Sequence, residues 1–186
     1  MYSHAYNEPM HPMNSINPSL FRTATAIDVH AWETVQVCVA TEALQRPLML
    51  ACLEWTGERA LAGHSDGDAA AHAVCDALLI ASGVGEMGSI FGVDRPEFAG
   101  ASGEEFLRET LRLVREAGYS VVNISVQIIA QRPRFAPRKL EAQARMSDIV
   151  GAPVSVAATT TDHLGFIGAG EGIAAIATAL IYKSEA

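Results

Sequence analysis

Basic residues are scarce in this sequence, and charged residues of both signs make up only 18% of it. The 13 lysines and arginines are outnumbered by 21 aspartates and glutamates, which gives a formal net charge of −8. Binding to nucleic acid requires a clustered basic surface that neutralises phosphates. We therefore expect no nucleic-acid partner, and an anionic ligand would need local cations or a metal ion to hold it.

Cysteines and long apolar runs are also few. Cys38, Cys52 and Cys75 follow neither C-x-x-C spacing nor a secreted disulfide framework, so reduced thiols in the cytoplasm are expected. No segment reaches the roughly 20 apolar residues of a membrane span, and the opening residues lack the apolar segment of a secretion signal. We interpret residues 1–21 as a mobile N-terminal tail and residues 22–186 as one domain without a membrane partner.

Apolar residues are abundant, at 49% of the 186 residues. A domain of this length buries roughly 70% of the surface that its unfolded chain exposes, so a sizeable core is expected. The small charged fraction also leaves apolar surface to be buried between subunits. We therefore expect an oligomer.

Strand-like and helix-like patterns alternate along the chain, which is typical of an α/β or α+β sandwich. β-branched residues and short apolar runs predict the strands. The predicted strands are residues 21–32, residues 35–40 and 47–53 joined by a turn near 42–46, residues 120–131, residues 154–161 and residues 173–182. The last of these is rich in alanine and also fits a helix; we interpret it as an edge or interface strand.

Three helices are predicted between these strands. Residues 69–82 are rich in alanine and leucine and end at glycines. Residues 102–118 begin with a capping box of Ser102 and Glu105. Residues 137–152 form the third. The glycine-rich residues 83–100 are predicted to be a long functional or mobile loop.

Asp28 and His30 are two residues apart on a predicted strand, so their side chains project from the same face. His72 lies on the first predicted helix. A carboxylate and two imidazoles can bind a divalent metal and leave one coordination position for substrate. We also expect Asp68 or Asp76 to orient the His72 ring.

The segment HSDGDAAAH, residues 64–72, has two interpretations. Ser65, Asp66 or Asp68 could cap the free amides at the start of the helix. The histidines could instead belong to a metal or substrate site. The spacing alone leaves both open.

Five motifs, DVH, HSDGDAAAHAVCDALL, IIAQRPRFAP, ATTTDHLGF and GEGIA, occur in this order. Together they resemble the 2-C-methyl-D-erythritol 2,4-cyclodiphosphate synthase family, from about residue 22 to the C-terminus. The resemblance implies a lyase that cyclises 4-diphosphocytidyl-2-C-methyl-D-erythritol 2-phosphate and releases CMP, in non-mevalonate isoprenoid biosynthesis. It also implies a ferredoxin-like α/β sandwich with a mixed sheet, assembled as a homotrimer.

The resemblance implies specific roles for individual residues. The metal ligands match Asp28, His30 and His72, usually with Zn²⁺, while Mg²⁺ or Mn²⁺ accompanies the substrate diphosphate. The catalytic contacts match His64 and Thr160. The substrate-binding positions match Asp28, His30, His64, Ser65, Glu86, Met87, Gly88, Ala130, Arg134, Phe135, Ala136, Ala158, Thr159, Thr160, Thr161, Asp162 and Phe166. The HSDGD segment thus resembles both a helix cap and half of a metal site.

Several positions depart from the family pattern. Glu86 and Asp162 exchange one acidic residue for the other, and Arg134 with Phe135 replaces lysine and methionine, where Phe135 offers an aromatic face for stacking. The departures with no chemical equivalent are Val93 for aspartate, Ala99 for lysine and Ala169 for arginine. An alternative is therefore a paralogue without cyclase activity that binds a cytidine nucleotide or diphosphate in a zinc-containing trimer.

Overall fold

The structure is a computed structural model that describes residues 17–33, 46–92, 98 and 100–183. The strands are Phe21–Ala31 (β1), Pro47–Leu50 (β2), Leu53–Arg59 (β3), Tyr119–Ile129 (β4), Val154–Thr159 (β5) and Gly172–Lys183 (β6). The helices are Ala69–Ser82 (α1), Met87–Ile90 (α2), Gly103–Glu116 (α3), Lys139–Val150 (α4) and Gly165–Gly168 (α5). The strand predicted at 35–40 and most of the predicted tail lie outside the described residues.

Four strands form a mixed sheet in the order β1-β6-β4-β5. β6 is antiparallel to both β1 and β4, and β4 is parallel to β5. β1, β4 and β5 therefore point the same way, and their carboxyl ends meet at one edge of the sheet. The predicted α/β sandwich with a mixed sheet is confirmed.

The predicted strand at 173–182 is confirmed, but it is a central strand of the sheet and not an edge strand. Ala175, Ala177 and Ala179 are fully buried on the face that α1 covers. Small side chains at these positions let the helix approach the sheet closely. The alanines that suggested a helix are thus explained by close packing.

β2 and β3 form a separate hairpin, and β3 was missed by the sequence analysis. The predicted strand 47–53 is interrupted at Ala51 and Cys52, which both adopt a left-handed backbone conformation with φ of 57°. β3 carries buried Leu53 and Trp55 alternating with exposed Glu54. The polar residues and the glycine of β3 are typical of a turn, so the alternation of buried and exposed residues was not recognised from the sequence.

The helices cover one face of the four-stranded sheet. α1 packs on β1 and β6, α3 packs on α1, and α4 packs on β5. On the opposite face, Ile27 and Val29 of β1 are 62% and 48% exposed. None of the described helices is long and apolar enough to cross a membrane.

Candidate active site

Asp68 is the side chain that caps α1, which decides between the capping residues proposed for this segment. Its carboxylate accepts hydrogen bonds from the backbone amides of Ala70 and Ala71, both at 3.1 Å. It also accepts from the amides of Ala51 and Cys52 in the β2–β3 turn, at 2.8 and 2.6 Å. A single, fully buried carboxylate therefore joins the start of α1 to the hairpin.

Asp66 ties the same segment to the start of α3. Its carboxylate accepts from the amide of Asp68 at 3.0 Å and from the amide of Gly103 at 2.7 Å. A Cβ atom on Gly103 would lie 2.8 Å from the Cβ of Ala71 and 2.9 Å from that of Asp68, so only glycine fits here. These contacts fix the segment that precedes α1 on two sides.

Asp28, His30 and His72 converge in the fold, as predicted. Asp28 Oδ2 lies 2.9 Å from His30 Nε2 and 3.4 Å from His72 Nδ1, and the two nitrogens are 3.3 Å apart. The three ligand atoms lie within 4.8 Å of one another, close enough to share one ion. β1 supplies the first two side chains and the first turn of α1 supplies the third.

Backbone and hydroxyl groups orient the two imidazoles. His30 Nδ1 donates to the carbonyl of Ala62 at 2.7 Å, which leaves Nε2 directed at the cluster. His72 Nε2 lies 3.3 Å from Ser65 Oγ, which leaves Nδ1 directed at the cluster. Such partners set the tautomer and ring angle of a ligating histidine.

The prediction that Asp68 or Asp76 orients His72 is wrong. The Asp68 carboxylate is occupied by four backbone amides. Asp76 Oδ1 accepts from the amide of Met87 at 2.7 Å, at the start of α2. Neither carboxylate is hydrogen-bonded to the ring, because the nearer hydroxyl of Ser65 takes that position.

The cluster fits a divalent cation on a test independent of the motif. Asp28 Oδ2 is buried and has no hydrogen-bond partner of acceptable geometry among the described residues. It nevertheless faces two imidazole nitrogens at 2.9 and 3.4 Å. A 3.3 Å hydrogen bond joins the two imidazole nitrogens and leaves the Asp28 oxygen without a partner. A bound cation would satisfy that buried oxygen together with both nitrogens.

The cluster also perturbs the acidity of its members. Burial would raise the pKa of Asp28, but the imidazoles of His30 and His72 outweigh burial and hold that pKa well below its usual range. The Asp28 carboxylate in turn raises the pKa of His30 above 6.5, against the opposing effect of burial. Without a metal, the Asp28 carboxylate therefore favours the protonated form of His30.

We expect the affinity for Zn²⁺ to rise with pH until it levels off above pH 6.5, because the metal must displace the proton on His30. Below the raised pKa of His30 the affinity should change by up to about tenfold per pH unit. In the metal-free protein, the contribution of His30 to folding stability has the opposite dependence on pH. Protonated His30 stabilises the fold below pH 6.5, and that contribution is lost as the pH rises through the raised pKa.

Competition between the metal-free protein and a chelating dye, repeated at half-unit pH steps, measures this dependence. An affinity that levels off below pH 6.5 would show that Asp28 does not raise the pKa of His30.

Most of the predicted substrate residues fall into two groups, one beside the metal cluster and one at the carboxyl ends of β4 and β5. His64 and Ser65 lie beside the metal cluster, with the His64 side chain exposed. Glu86, Met87 and Gly88 begin α2, so part of the predicted loop is helical. Val93 and Ala99 lie outside the described residues.

The second group lies at and after the carboxyl ends of β4 and β5, with β6 between it and the metal cluster. At a strand spacing of about 4.8 Å, β1 and β4 are roughly 10 Å apart. Ala130 donates its amide to the carbonyl of Thr159 at 3.0 Å, which joins the two segments. The members of this group are Ala130, Arg134, Phe135, Ala136, Ala158, Thr159, Thr160, Thr161 and Asp162.

Side chains in this second group differ in how far they can reach a ligand. Thr160 is exposed, and its hydroxyl donates to Asp162 at 3.3 Å. Phe166, on α5, is 47% exposed. The suggested stacking face of Phe135 is wrong, because that ring is 5% exposed and stacks on Trp55 with ring centroids 5.4 Å apart.

A cavity of about 370 Å³ opens at the same edge of the sheet. Its lining includes Trp32 after β1, Gln131 after β4 and Ala169 before β6. None of the three metal-cluster residues lines it. Among the described residues, this cavity and the metal cluster are therefore lined by different side chains.

Comparison with known proteins identifies the family. A sequence model of the YgbB family matches residues 21–182. The chain belongs to the YgbB family. The match includes all three residues of the metal cluster and both groups of predicted substrate residues.

Two relatives of this YgbB-family chain differ in length. This chain is 46% identical over 164 residues to the 2-C-methyl-D-erythritol 2,4-cyclodiphosphate synthase of Acidothermus cellulolyticus. That match covers 88% of this chain and 96% of the relative. This chain is 55% identical over 165 residues to the bifunctional enzyme IspD/IspF of Clavibacter michiganensis subsp. michiganensis. That match covers 89% of this chain but only 38% of the bifunctional enzyme.

The fold of the YgbB-family chain is also similar to a solved structure of 2C-methyl-D-erythritol-2,4-cyclodiphosphate synthase in a CDP-bound form. The TM-score is 0.74 at 30% sequence identity. The match covers 86% of this chain and 99% of that one.

Two contacts of the YgbB-family site were missed by the sequence analysis. The carbonyl of Ala62 orients His30, and Arg46 donates to the carbonyl of Ser65 at 2.6 Å. Both acceptors are backbone groups, which leave no signal in the side-chain pattern. Their donors lie 32 and 19 residues away along the chain.

Proposed function

We propose that this chain converts 4-diphosphocytidyl-2-C-methyl-D-erythritol 2-phosphate into 2-C-methyl-D-erythritol 2,4-cyclodiphosphate and CMP. An oxygen of the 2-phosphate attacks the β-phosphorus, and the bond from that phosphorus to the oxygen of the α-phosphate breaks. The convergence of Asp28, His30 and His72 in a YgbB-family chain carries this proposal. A relative that is 46% identical over nearly its whole length has the name of this synthase.

Zn²⁺ is the ion we propose for the cluster, because two imidazoles and a carboxylate form a three-ligand set that this ion favours. An ion held there would supply positive charge and a free coordination position for a phosphate oxygen. Asp28, His30 and His72 would hold the ion itself. Asp28 neutralises part of the charge, while the partners of His30 and His72 keep both rings directed at it.

His64 and Thr160 are proposed to contact the transferring phosphoryl group, His64 from the loop before α1 and Thr160 from the end of β5. Phosphoryl transfer of this kind depends mainly on positioning and on stabilisation of the charge that spreads over the phosphate oxygens. The exposed His64 imidazole can reach a ligand above the cluster. Ser65, the next residue along the chain, has its hydroxyl 3.3 Å from Nε2 of His72.

The segments after β4 and β5 are proposed to bind the cytidine diphosphate. Their exposed backbone and threonine hydroxyls can hold a pyrimidine and a phosphate without a basic surface. A second divalent ion, Mg²⁺ or Mn²⁺, is proposed to enter with the substrate diphosphate, and Asp162 is the acidic residue of this group that could approach it. An acidic protein could in this way bind an anionic substrate.

A homotrimer is the assembly we propose. The face of the sheet opposite α1 exposes Ile27 and Val29, and β6 places Ile176 opposite Ile27 in the same layer. Burial of such a face would account for these side chains. It would also let the metal cluster of one chain meet the β4–β5 group of another.

Free, buried Cys52 and Cys75 support the proposed cytoplasmic location.

We expect Ile27→Asp to abolish the trimer, because it places a carboxylate in the proposed interface. Light scattering should then fall from three times the 19.8 kDa chain mass to that mass. Ile80→Asp is the matched control, since Ile80 is 48% exposed on α1, away from this face. A wild-type protein that is monomeric at micromolar concentration would contradict the proposed assembly.

Phosphorus NMR tests the reaction. The purified protein with Zn²⁺, Mg²⁺ and the proposed substrate should yield CMP and the cyclic diphosphate in equal amounts. Intact substrate, under conditions where calorimetry shows that it binds, would instead select the paralogue without cyclase activity. That alternative is not favoured by the names of relatives at 46–55% identity.

A further inference from the structure

Arg46 precedes β2 and contacts the loop that carries His64. Its Nη1 donates to the carbonyl of Ser65 at 2.6 Å, and its Nη2 donates to the carbonyl of Leu61 at 3.3 Å. One guanidinium thus bridges the two ends of loop 61–65. A planar guanidinium can hold two such acceptors in fixed relative positions, which a single ammonium cannot.

Glu33 fixes the guanidinium from its other side. Arg46 Nε donates to Glu33 Oε1 at 3.0 Å, and Nη2 donates to the same oxygen. The amide of Glu33 donates to the carbonyl of Ala60 at 2.9 Å, so the carboxylate is anchored next to the same loop. The side chains of Arg46 and Glu33 are 45% and 35% exposed, and an ion pair so exposed contributes little to stability. The ion pair matters instead because it fixes the orientation of the Arg46 guanidinium.

The inner side of loop 61–65 contacts the metal cluster. The carbonyl of Ala62 accepts from His30, and Ser65 Oγ lies beside His72. The loop is therefore held between the two imidazoles on one side and Arg46 on the other.

We propose that Arg46, held by Glu33, is a positioning residue that fixes loop 61–65 against the metal cluster. Its contact with Ser65 places His64 for the reaction and maintains the angle of the His72 ring. The effect on turnover rests on the proposed function, whereas the effect on the loop and on metal affinity does not.

The test compares Arg46→Ala with Arg112→Ala. Arg112 is a matched control because its side chain is 48% exposed and pairs with Glu109 and Glu116 on α3, outside the described site. We expect Arg46→Ala to lower kcat by about tenfold or more with KM changed less than about threefold, because small misplacements of reacting groups cost mainly rate. Arg46→Lys should recover only part of kcat, since it keeps the charge without the fork.

Two further readouts do not require turnover. The affinity of the metal-free protein for Zn²⁺ should fall about tenfold in Arg46→Ala, as for other outer contacts of a metal site. Hydrogen exchange of a peptide spanning residues 60–67 should become faster. Glu33→Gln, which removes the charge but keeps a hydrogen-bond acceptor, should give smaller changes in the same direction, and neither readout should change in Arg112→Ala.

The proposal is overturned if Arg46→Ala and Arg112→Ala have the same kcat, Zn²⁺ affinity and exchange rates. If the wild-type protein forms no cyclic diphosphate, the proposed function fails while metal affinity and exchange still decide the role of Arg46. Melting temperatures of all variants, measured together, separate a displaced loop from general unfolding.

Discussion

His72→Ala should remove bound Zn²⁺ and turnover together. The substitution deletes one of three protein ligands and leaves Asp28 and His30, whose contact with each other at 2.9 Å competes with the metal. A divalent ion stabilises transition-state charge by several kcal/mol, so kcat/KM should fall by at least about 10³-fold. Metal analysis after dialysis and an assay of CMP release measure the two effects.

Two other variants distinguish loss of the metal from loss of a phosphoryl contact and from loss of side-chain volume. His64→Ala should keep a full equivalent of zinc and still lose turnover, because His64 is proposed to contact the phosphoryl group and lies outside the cluster. His72→Gln preserves side-chain volume next to Phe106, whose ring packs edge-on against His72. Full zinc occupancy in both His72 variants would show that the ion binds elsewhere.

Asp68→Ala should lower the free energy of unfolding by about 4 kcal/mol, since each buried amide left without an acceptor costs about 1–3 kcal/mol. Four amides lose their acceptor, two at the start of α1 and two in the β2–β3 turn. At roughly 2–4 °C per kcal/mol for a domain of this size, the melting temperature should fall by about 10 °C. Thermal and urea unfolding measure the change.

Asp148→Ala is the matched control for this loss, because Asp148 is an exposed carboxylate on α4. It should change the melting temperature by no more than about 2 °C, as surface substitutions usually do. Asp68→Asn should lie between the two, since its amide oxygen can still accept while its NH₂ group faces backbone donors. Equal melting temperatures for Asp68→Ala and Asp148→Ala would show that this buried carboxylate contributes no stability.

Local spacing predicted most of the main sheet, and spacing together with the family resemblance predicted the metal cluster. Asp28 and His30 share a strand face because they are two residues apart, and an alanine-rich run with flanking glycine predicts the helix that carries His72. The same reasoning failed at β3 and misplaced β6 at an edge. In both places the conformation follows from packing against other segments, which single-segment patterns do not encode.

Contacts between distant segments explain the remaining differences. Asp68 was one of several candidate caps, and its preference follows from the amides of Ala51 and Cys52, far away in the chain. Phe135 was expected to face a ligand, but the missed strand β3 brings Trp55 onto its ring. In both cases the environment of the side chain depends on residues that are distant in the sequence and are brought next to it only by the tertiary fold.

X-ray absorption at the zinc edge of the purified, Zn²⁺-loaded protein examines the cluster most directly. We predict one ion per chain with two imidazole nitrogens and carboxylate or water oxygen at about 2.0–2.2 Å, and no sulfur neighbour. The same spectrum should lose one imidazole in His72→Gln. A sulfur neighbour near about 2.3 Å, or a protein that retains no divalent ion at one equivalent, would contradict the assignment of Asp28, His30 and His72 as a shared metal site.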